Sequence, residues 1–272
     1  MTNPRLQSAV EVFLDFDGTL VEPNVAIVLV GEFAHDGVRV AQQVDEELHS
    51  GKITLRQAWE REAALLSAAR VPEMIDWVRR EVPLREGAQE LLALLKQHRV
   101  PTTIISGGLD FYITAVLDRE GIDLPFLSDT SVADPAGHLR VQHPHGHPTC
   151  RLCGICKAQA VARPRPEAPR TIFIGDGSTD RYAAEVADIV FARRRLIDIC
   201  TKSGIPYHRF EAFHPVTEQL ERWLTGREPL PRGRAPGLAS SPCPISQNLA
   251  LSAEAPRSGD AGHLGPAGNG SG

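Results

Sequence analysis

Four short apolar segments, rich in β-branched or aromatic residues, recur along the chain and are separated by stretches of helical periodicity. The segments are residues 10–16, 100–106, 170–175 and 187–192. Apolar runs of this length are typical of strands that are buried on both faces of a parallel sheet. The alternation therefore predicts an α/β fold whose core is a doubly wound, Rossmann-like parallel sheet with helices on both sides.

One long segment interrupts this alternation directly after the first predicted strand. Residues 21–84 contain several helical stretches and no convincing strand. We expect them to form an inserted helical cap above the carboxyl edge of the sheet, where open α/β folds bind their ligands. Residues 8–20 and 85–226 would then form the core.

The C-terminal segment differs from the rest in composition. Residues 227–272 contain eight glycines and seven prolines without any apolar period. Such a segment buries too little apolar surface to offset the entropy of ordering it. We predict that residues 227–272 form a disordered tail.

Charge, hydropathy and cysteine usage exclude several classes of protein. The net charge of −5 gives no basic surface for nucleic acid. No apolar run is long enough to cross a bilayer, and the first residues lack the pattern of a secretory signal. An odd number of cysteines, five, indicates reduced thiols. We expect a cytoplasmic protein without nucleic-acid or membrane partners, and the sequence leaves its oligomeric state open.

Acidic residues follow two of the predicted strands. Asp15 and Asp17 end the first strand, while Asp176 and Asp180 follow residues 170–175. Because the carboxyl ends of parallel strands meet at one edge, we expect these four carboxylates to converge. Their mutual repulsion predicts a bound cation, and hard oxygen ligands favour Mg²⁺.

A serine and two glycines follow the second predicted strand. Ser106, Gly107 and Gly108 stand directly before a predicted helix. Small residues at this position allow backbone N–H groups and a hydroxyl to surround an anion. The sequence therefore predicts an anion site beside the carboxylates.

These motifs occur in a familiar order. DFDGT, a strand ending in Ser-Gly-Gly, a later lysine and GDGSTD resemble the haloacid-dehalogenase-like phosphatases over about residues 10–224. The interval between the first two motifs is long enough for a helical cap. In this the chain resembles subfamily IB, the phosphoserine phosphatase branch. Within it, IISGGLDFYITAVL, the cysteine-rich run ending in CK, IGDGSTDRYAAEVADIVFAR and GIPYHRFEAF most resemble the 2-hydroxy-3-keto-5-methylthiopentenyl-1-phosphate phosphatases of methionine salvage.

The resemblance implies roles for the acidic residues. Asp15 would be the nucleophile that forms an aspartyl-phosphate, and Asp17 the general acid and then the general base. Asp15 and Asp176 would ligate Mg²⁺, with Asp180 as a further ligand or acting through water. The main-chain carbonyl of Asp17 would complete the protein ligands.

The resemblance also implies the groups that bind the phosphate. Ser106 and the amide of Gly107 would hold a phosphoryl oxygen. The family takes a catalytic lysine from between the second and fourth motifs. Lys157 is the only lysine between Ser106 and Asp176, so it is the expected catalytic cation.

Cysteines and histidines crowd the segment before Lys157. Cys150, Cys153 and Cys156 are spaced three residues apart, with His147 just upstream. Three thiolates and one imidazole would make a tetrahedral zinc site that holds the loop carrying Lys157. Alternatively, these side chains line the substrate pocket or belong to an ordinary loop.

We therefore expect a Mg²⁺-dependent phosphomonoester hydrolase that acts on a small phosphorylated metabolite, the methionine-salvage enol phosphate. A phosphoserine phosphatase is the alternative enzyme. Against it, Asn24 stands where those enzymes place a glutamate for the substrate ammonium, and Ser178-Thr179 replaces their alanine-asparagine. A non-catalytic relative that binds a metal or a partner through the His/Cys loop is the alternative of another class.

Overall fold

The computed structural model describes residues 10–254 apart from 166, 168 and 235. Within these residues, seven strands form one sheet in the order β4–β3–β2–β1–β5–β6–β7. All neighbours are parallel except β3 and β4, which are antiparallel. The α/β prediction is confirmed. The strands are β1 (Val10–Leu14), β2 (Thr102–Leu109), β3 (Phe126–Ala133), β4 (Leu139–Gln142), β5 (Arg170–Gly175), β6 (Ile189–Ala192) and β7 (His208–Arg209).

The register of the central strands brings the sequence motifs together. Leu14 at the end of β1 pairs with Ile104 of β2 on one side and Ile174 of β5 on the other. β1 and β5 therefore end at nearly the same level of the sheet edge, and Ser106 of β2 lies two residues beyond Ile104. This level is where the acidic and glycine-rich motifs begin.

Both faces of the central strands are buried. In β1, Val12 and Leu14 pack into one apolar cluster, while Phe13 packs into the cluster on the opposite face. Successive strand side chains point to opposite faces, so burial of both faces requires a continuous apolar run. This explains why these strands were visible in the sequence.

Four α-helices lie within residues 21–84, and six more belong to the core, of which the first also precedes β2. The first four are α1 (Val25–Phe33), α2 (Gly37–His49), α3 (Leu55–Ala63) and α4 (Val71–Glu81). The core helices are α5 (Ala88–Gln97), α6 (Asp110–Glu120), α7 (Lys157–Ala162), α8 (Arg181–Val186), α9 (Arg194–Ser203) and α10 (His214–Leu224). In the described part of the chain, no helix combines the length and apolar character needed to cross a membrane.

Local capping defines the first helices. The side chain of Asn24 accepts a hydrogen bond from the Ile27 amide at 3.1 Å and so caps α1. Thr54 and Gln57 form a reciprocal capping box at the start of α3. An antiparallel bridge between Val21 and Leu84 closes the base of this helical unit. We propose residues 21–84 as the cap on this basis, with 8–20 and 85–226 as the core; residues 8 and 9 lie outside the described residues.

The cap is also attached to the β3–β4 hairpin. The Leu139 amide donates to the Leu66 carbonyl at 2.9 Å, and the Ala68 amide donates to the Gly137 carbonyl at 2.8 Å. The hairpin itself was not predicted, because β3 is a half-buried strand of mixed polarity at one side of the sheet. Cap and core are therefore joined away from the two chain crossings as well as at them.

The structure differs from the disordered tail that composition predicts. Pro244–Glu254 form a helix, α11, and Ile245 and Leu249 pack against α7 and α8. Before it, the Ser241 hydroxyl donates to Glu185 at 2.6 Å, and the Gly237 amide donates to the Glu185 carbonyl at 2.9 Å. A composition averaged over 46 residues concealed the short apolar pattern of this helix. Residues 255–272 of the predicted tail lie outside the described residues.

Removal of residues 227–272 should destabilise the core. Burial of a large apolar side chain contributes about 1.5–3 kcal/mol, and ordering entropy offsets part of it, so we expect the free energy of unfolding to fall by about 2 kcal/mol. Urea denaturation of a chain ending at residue 226 would measure the loss. A chain ending at residue 254 is the matched control and should unfold like the full chain. Equal stability of all three chains would contradict the packing role of α11.

Candidate active site

Three of the four predicted carboxylates meet at the sheet edge. Asp15 directly follows β1, Asp176 directly follows β5, and Asp180 lies one turn further along, before α8. Each offers an oxygen atom within 4.8 Å of the other two. All three are nearly or fully buried. The packing of parallel strands thus forces negative groups together in a site with little water.

The pKa values of Asp15 and Asp176 reflect this crowding. Burial and then the charges of Asp180 and Asp176 raise the pKa of Asp15 well above its ordinary value, although Lys157 lowers it. Burial and then Asp180 raise the pKa of Asp176 to about 6. Without a positive partner, ionising all three groups would be costly.

Lys157 is the positive partner that the protein provides. Its Nζ lies 2.5 Å from Asp15 Oδ1 and 2.7 Å from Asp180 Oδ1, and only 3% of the residue is exposed. Burial alone would lower the pKa of Lys157, but Asp15 and Asp180 raise it above its ordinary value. The ammonium therefore stays charged between two carboxylates.

Asp180 also shapes the turn after β5. Its Oδ2 accepts hydrogen bonds from the amides of Asp176, at 2.8 Å, and Gly177, at 2.9 Å. A Cβ at Gly175 would lie 2.5 Å from the same oxygen, so a side chain there would displace the carboxylate. One residue therefore fixes the backbone beside Asp176 and holds Lys157.

Asp17 has different partners from the other acids. Its Oδ1 accepts a hydrogen bond from the Val25 amide at 2.9 Å, and its Oδ2 accepts from Ser106 Oγ at 3.1 Å and Tyr112 Oη at 2.9 Å. Burial raises the pKa of Asp17, while the hydrogen bonds from Tyr112 and Ser106 oppose that rise. Its side chain is outside the carboxylate cluster. Asp15 and Asp17 nevertheless both line the cavity between the carboxylates and the cap, which we call the main cavity.

The Ser-Gly-Gly segment, an irregular part of β2, lies beside Asp17. Ser106 is fully buried, donates to Asp17 and accepts a hydrogen bond from the Gly108 amide at 2.9 Å. Gly107 lines the main cavity, and nothing lies within 4 Å of the Cβ it lacks. A side chain at Gly108 would collide with the Tyr112 hydroxyl. The predicted phosphate-binding roles of Ser106 and Gly107 stay predictions.

Two arginines missed in the sequence hold the loop after Asp15. Arg85 donates to the Gly18 carbonyl at 2.7 Å, and Arg193 donates to the same oxygen at 2.5 Å. Arg85 also donates to the Thr19 carbonyl at 2.7 Å and pairs with Glu22 at 3.0 Å. Arg193 is only 5% exposed and is therefore buried against this loop. No local pattern could indicate partners so far away in sequence.

The main cavity lies between the carboxylates and the cap and has a volume of about 590 Å³. Its cap wall is largely apolar, with Asp45 and Glu62 as acidic members. Burial, and then Asp45, raises the pKa of Glu62 to about 7. The apolar cap residues that line it are Ala26, Ile27, Val38, Ala41, Val44, Leu48, Leu55, Ala58 and Trp59.

The structure does not bring the predicted zinc ligands Cys150, Cys153, Cys156 and His147 within the distance needed to share one ion. Within the described residues, the carboxylate cluster is the only group of three or more acidic, cysteine or histidine side chains with ligand atoms within 4.8 Å. Nδ1 of His147 instead accepts a hydrogen bond from the Cys150 amide at 3.0 Å. Burial and the thiols around it raise the pKa of Cys153 to about 12. Cys153 also lines the main cavity, as the pocket-lining interpretation expects.

The carboxylate cluster fits a hard divalent cation. Its donors are oxygen atoms from three side chains on two turns, and Mg²⁺ prefers such ligands together with water and phosphate. A cation would also relieve the repulsion that raises the pKa of Asp15 and Asp176. Asp15, Asp176 and Asp180 are the residues that would hold it.

Solved structures with a similar fold include phosphoserine phosphatases. One is the phospho-aspartyl intermediate analogue of phosphoserine phosphatase, with a TM-score of 0.58 and 20% identity, covering 79% of this chain and 98% of that one. Another is the probable phosphoserine phosphatase from Vibrio cholerae, with a TM-score of 0.60 and 21% identity, covering 83% and 68%. At this identity, the likeness shows the fold.

Sequence relatives carry a different name, 2-hydroxy-3-keto-5-methylthiopentenyl-1-phosphate phosphatase. That of Geobacillus kaustophilus is 31% identical over 215 residues, covering 78% of this chain and 95% of the relative. That of Exiguobacterium sibiricum is 29% identical over 226 residues, covering 78% and 96%. The family model of the haloacid dehalogenase-like hydrolases matches residues 12–185. The chain therefore belongs to the haloacid dehalogenase-like hydrolases and is a phosphatase of that family.

Proposed function

We propose that the protein hydrolyses a small phosphate monoester through an aspartyl-phosphate formed on Asp15. The observation that carries this proposal is the position of Asp15, buried at the end of β1 with Lys157 at 2.5 Å and Asp17 two residues away. Attack by Asp15 would form an acyl phosphate and release the alcohol. Lys157 would balance charge on the transferred group, with Ser106 and the Gly107 amide as the predicted phosphate ligands.

Asp17 would move the protons in both half-reactions. Burial raises its pKa and thereby favours the protonated form that a general acid needs. It would first protonate the leaving oxygen and then, as a carboxylate, remove a proton from the attacking water. Tyr112 and Ser106 orient the carboxyl group for this task through their hydrogen bonds.

We propose Mg²⁺ as the cofactor, with Asp15, Asp176, Asp180 and the Asp17 carbonyl as its protein ligands. Support comes from the donor set and from the convergence of three of these side chains. When bound, the ion would neutralise repulsion between the substrate phosphate and the carboxylates. Lys157 supplies a further positive charge through its contacts with Asp15 and Asp180.

The substrate that we propose is the enol phosphate of methionine salvage, 2-hydroxy-3-keto-5-methylthiopentenyl-1-phosphate. The names of the sequence relatives support it. The apolar cap wall of the main cavity also suits the methylthio chain better than the ammonium and carboxylate of phosphoserine. Asn24 caps α1 through Ile27 and does not supply the carboxylate that an ammonium would need. Five free cysteines support the cytoplasmic location that we propose.

Replacement of the nucleophile tests the class of reaction. We expect Asp15→Asn to lower Mg²⁺-dependent hydrolysis of p-nitrophenyl phosphate by more than about 10³-fold, because an amide cannot form the phosphoenzyme. Wild-type activity should also vanish in excess EDTA and return with added Mg²⁺. Asp118→Asn, a change on the core helix α6, is the control and should retain activity. Undiminished turnover by Asp15→Asn would contradict the mechanism.

Removal of the Tyr112 hydroxyl tests the role of Asp17. The hydrogen bond from Tyr112 lowers the pKa of Asp17, so Tyr112→Phe should raise that pKa further. A general acid works while protonated, and the alkaline limb of kcat/KM for an alkyl phosphate should therefore move to higher pH. We also expect kcat to fall by about 10-fold as orientation is lost. Tyr207→Phe is the control, and an unmoved alkaline limb would argue against Asp17 as the acid.

A charge in the cap wall tests the substrate. Ile27→Asp should lower kcat/KM for the enzymatically prepared enol phosphate by at least about 10-fold, because lost apolar contact costs about 1–3 kcal/mol. Hydrolysis of glycerol 2-phosphate, which has no apolar chain, should change much less. Val132→Asp, at an exposed apolar residue of β3 outside the cavity, is the matched control. Equal losses on both substrates, or higher wild-type efficiency on phosphoserine, would count against the proposed substrate.

A further inference from the structure

Four cysteines line one small cavity beside the active site. Cys150, Cys153 and Cys156 reach it from the loop between β4 and α7, and Cys243 reaches it from the residue before α11. The fifth cysteine, Cys200, lies elsewhere, in α9. The tail that composition predicts to be disordered thus adds a thiol to the sequence cluster.

The cavity has room for about one water-sized occupant. Its volume of about 20 Å³ is close to the minimum of about 10–15 Å³ that one water molecule occupies. A water molecule needs two to four polar partners, and thiols are weak ones. Thiolates are instead strong ligands for soft or borderline cations, of which zinc is the commonest in tetrahedral sulfur sites.

His147 is less suited to be the fourth ligand than Cys243. Nδ1 of His147 already accepts hydrogen bonds from the amides of Cys150, at 3.0 Å, and Thr149, at 3.3 Å. It therefore shapes the turn that presents Cys150. Cys243 is 4% exposed, and its amide donates to the Ser241 hydroxyl at 3.1 Å, which fixes its backbone at the cavity wall.

We propose that Cys150, Cys153, Cys156 and Cys243 bind one Zn²⁺ ion in this cavity and so fasten the C-terminal segment to the loop that carries Lys157. Each thiol would lose its proton to solvent as its sulfur–zinc bond forms, which gives a four-thiolate site. The sulfurs are not yet within 4.8 Å of one another. Rotation about χ1 moves a cysteine sulfur without moving the backbone, and the proposed site requires such rotation to bring the four sulfurs together.

Fastening this segment would position the active-site ammonium. Cys156 directly precedes Lys157, the first residue of α7, and the Cys156 amide donates to the His145 carbonyl at 2.9 Å. An ion held by Cys156 and Cys243 would link α7 to α11, which already pack against each other. The catalytic role of Lys157 rests on the proposed function, whereas zinc binding does not.

The test measures metal content directly. Full-length protein produced with added zinc should retain about one equivalent after dialysis, measured by inductively coupled plasma mass spectrometry. Cys243→Ser and Cys153→Ser should each lose most of it, while the controls His147→Ala and Cys200→Ser should keep it. Wild-type protein reconstituted with Co²⁺ should show sulfur-to-cobalt charge transfer and the visible bands of tetrahedral cobalt, a readout that needs no variant to fold.

Several outcomes would overturn the proposal. They are wild-type protein with under about a tenth of an equivalent of zinc, a Cys243→Ser variant that keeps the full amount, and a disulfide between these cysteines detected by thiol titration under non-reducing conditions. Loss of zinc with unchanged Asp15-dependent turnover would leave the proposed function intact. If wild-type protein binds zinc but shows no Asp15-dependent turnover, the proposed function is rejected and the zinc site is retained.

Discussion

The contact of one buried ammonium with two buried carboxylates is the interaction on which the site depends. Asp15 and Asp180 are held at the sheet edge by the strands that precede them, so their repulsion is built into the topology. Lys157 offsets it at 2.5 and 2.7 Å. Removing one partner of a buried ion pair leaves an uncompensated charge, which is far more costly than losing a surface pair. This contact therefore stabilises the fold at the same groups to which the proposed function assigns the chemistry.

Much of this arrangement could be predicted from the sequence because it follows from strand ends. A continuous apolar run marks each central strand, and the residue after the run must lie at the carboxyl edge. Asp15 and Asp176 are of this kind. Lys157 was implied by the family resemblance, because the family takes its lysine from an interval in which this chain has only Lys157. These positions depend on local pattern and general topology, which a sequence records directly.

The remaining features depend on contacts between distant residues. Arg85 and Arg193 converge on one carbonyl, and nothing near either residue indicates that oxygen. The hydroxyl of Tyr112 reaches Asp17 because α6 packs beside the Ser-Gly-Gly segment of β2. The β3–β4 hairpin has mixed polarity because it is covered unevenly, and α11 was hidden by the glycines and prolines around it. In each case, the burial of a residue depends on residues that are near it in the fold and distant in the sequence.

The backbone hydrogen bonds between the cap and the β3–β4 hairpin restrict how substrate can enter. A cap joined to the core only at Val21 and Leu84 would swing as a rigid flap about two linkers. Here, Leu66 and Ala68 are hydrogen-bonded to Leu139 and Gly137, so that swing would break main-chain bonds or pull the hairpin outward with it. Exchange of substrate by such a swing would therefore have to move part of the sheet together with the helices of the cap.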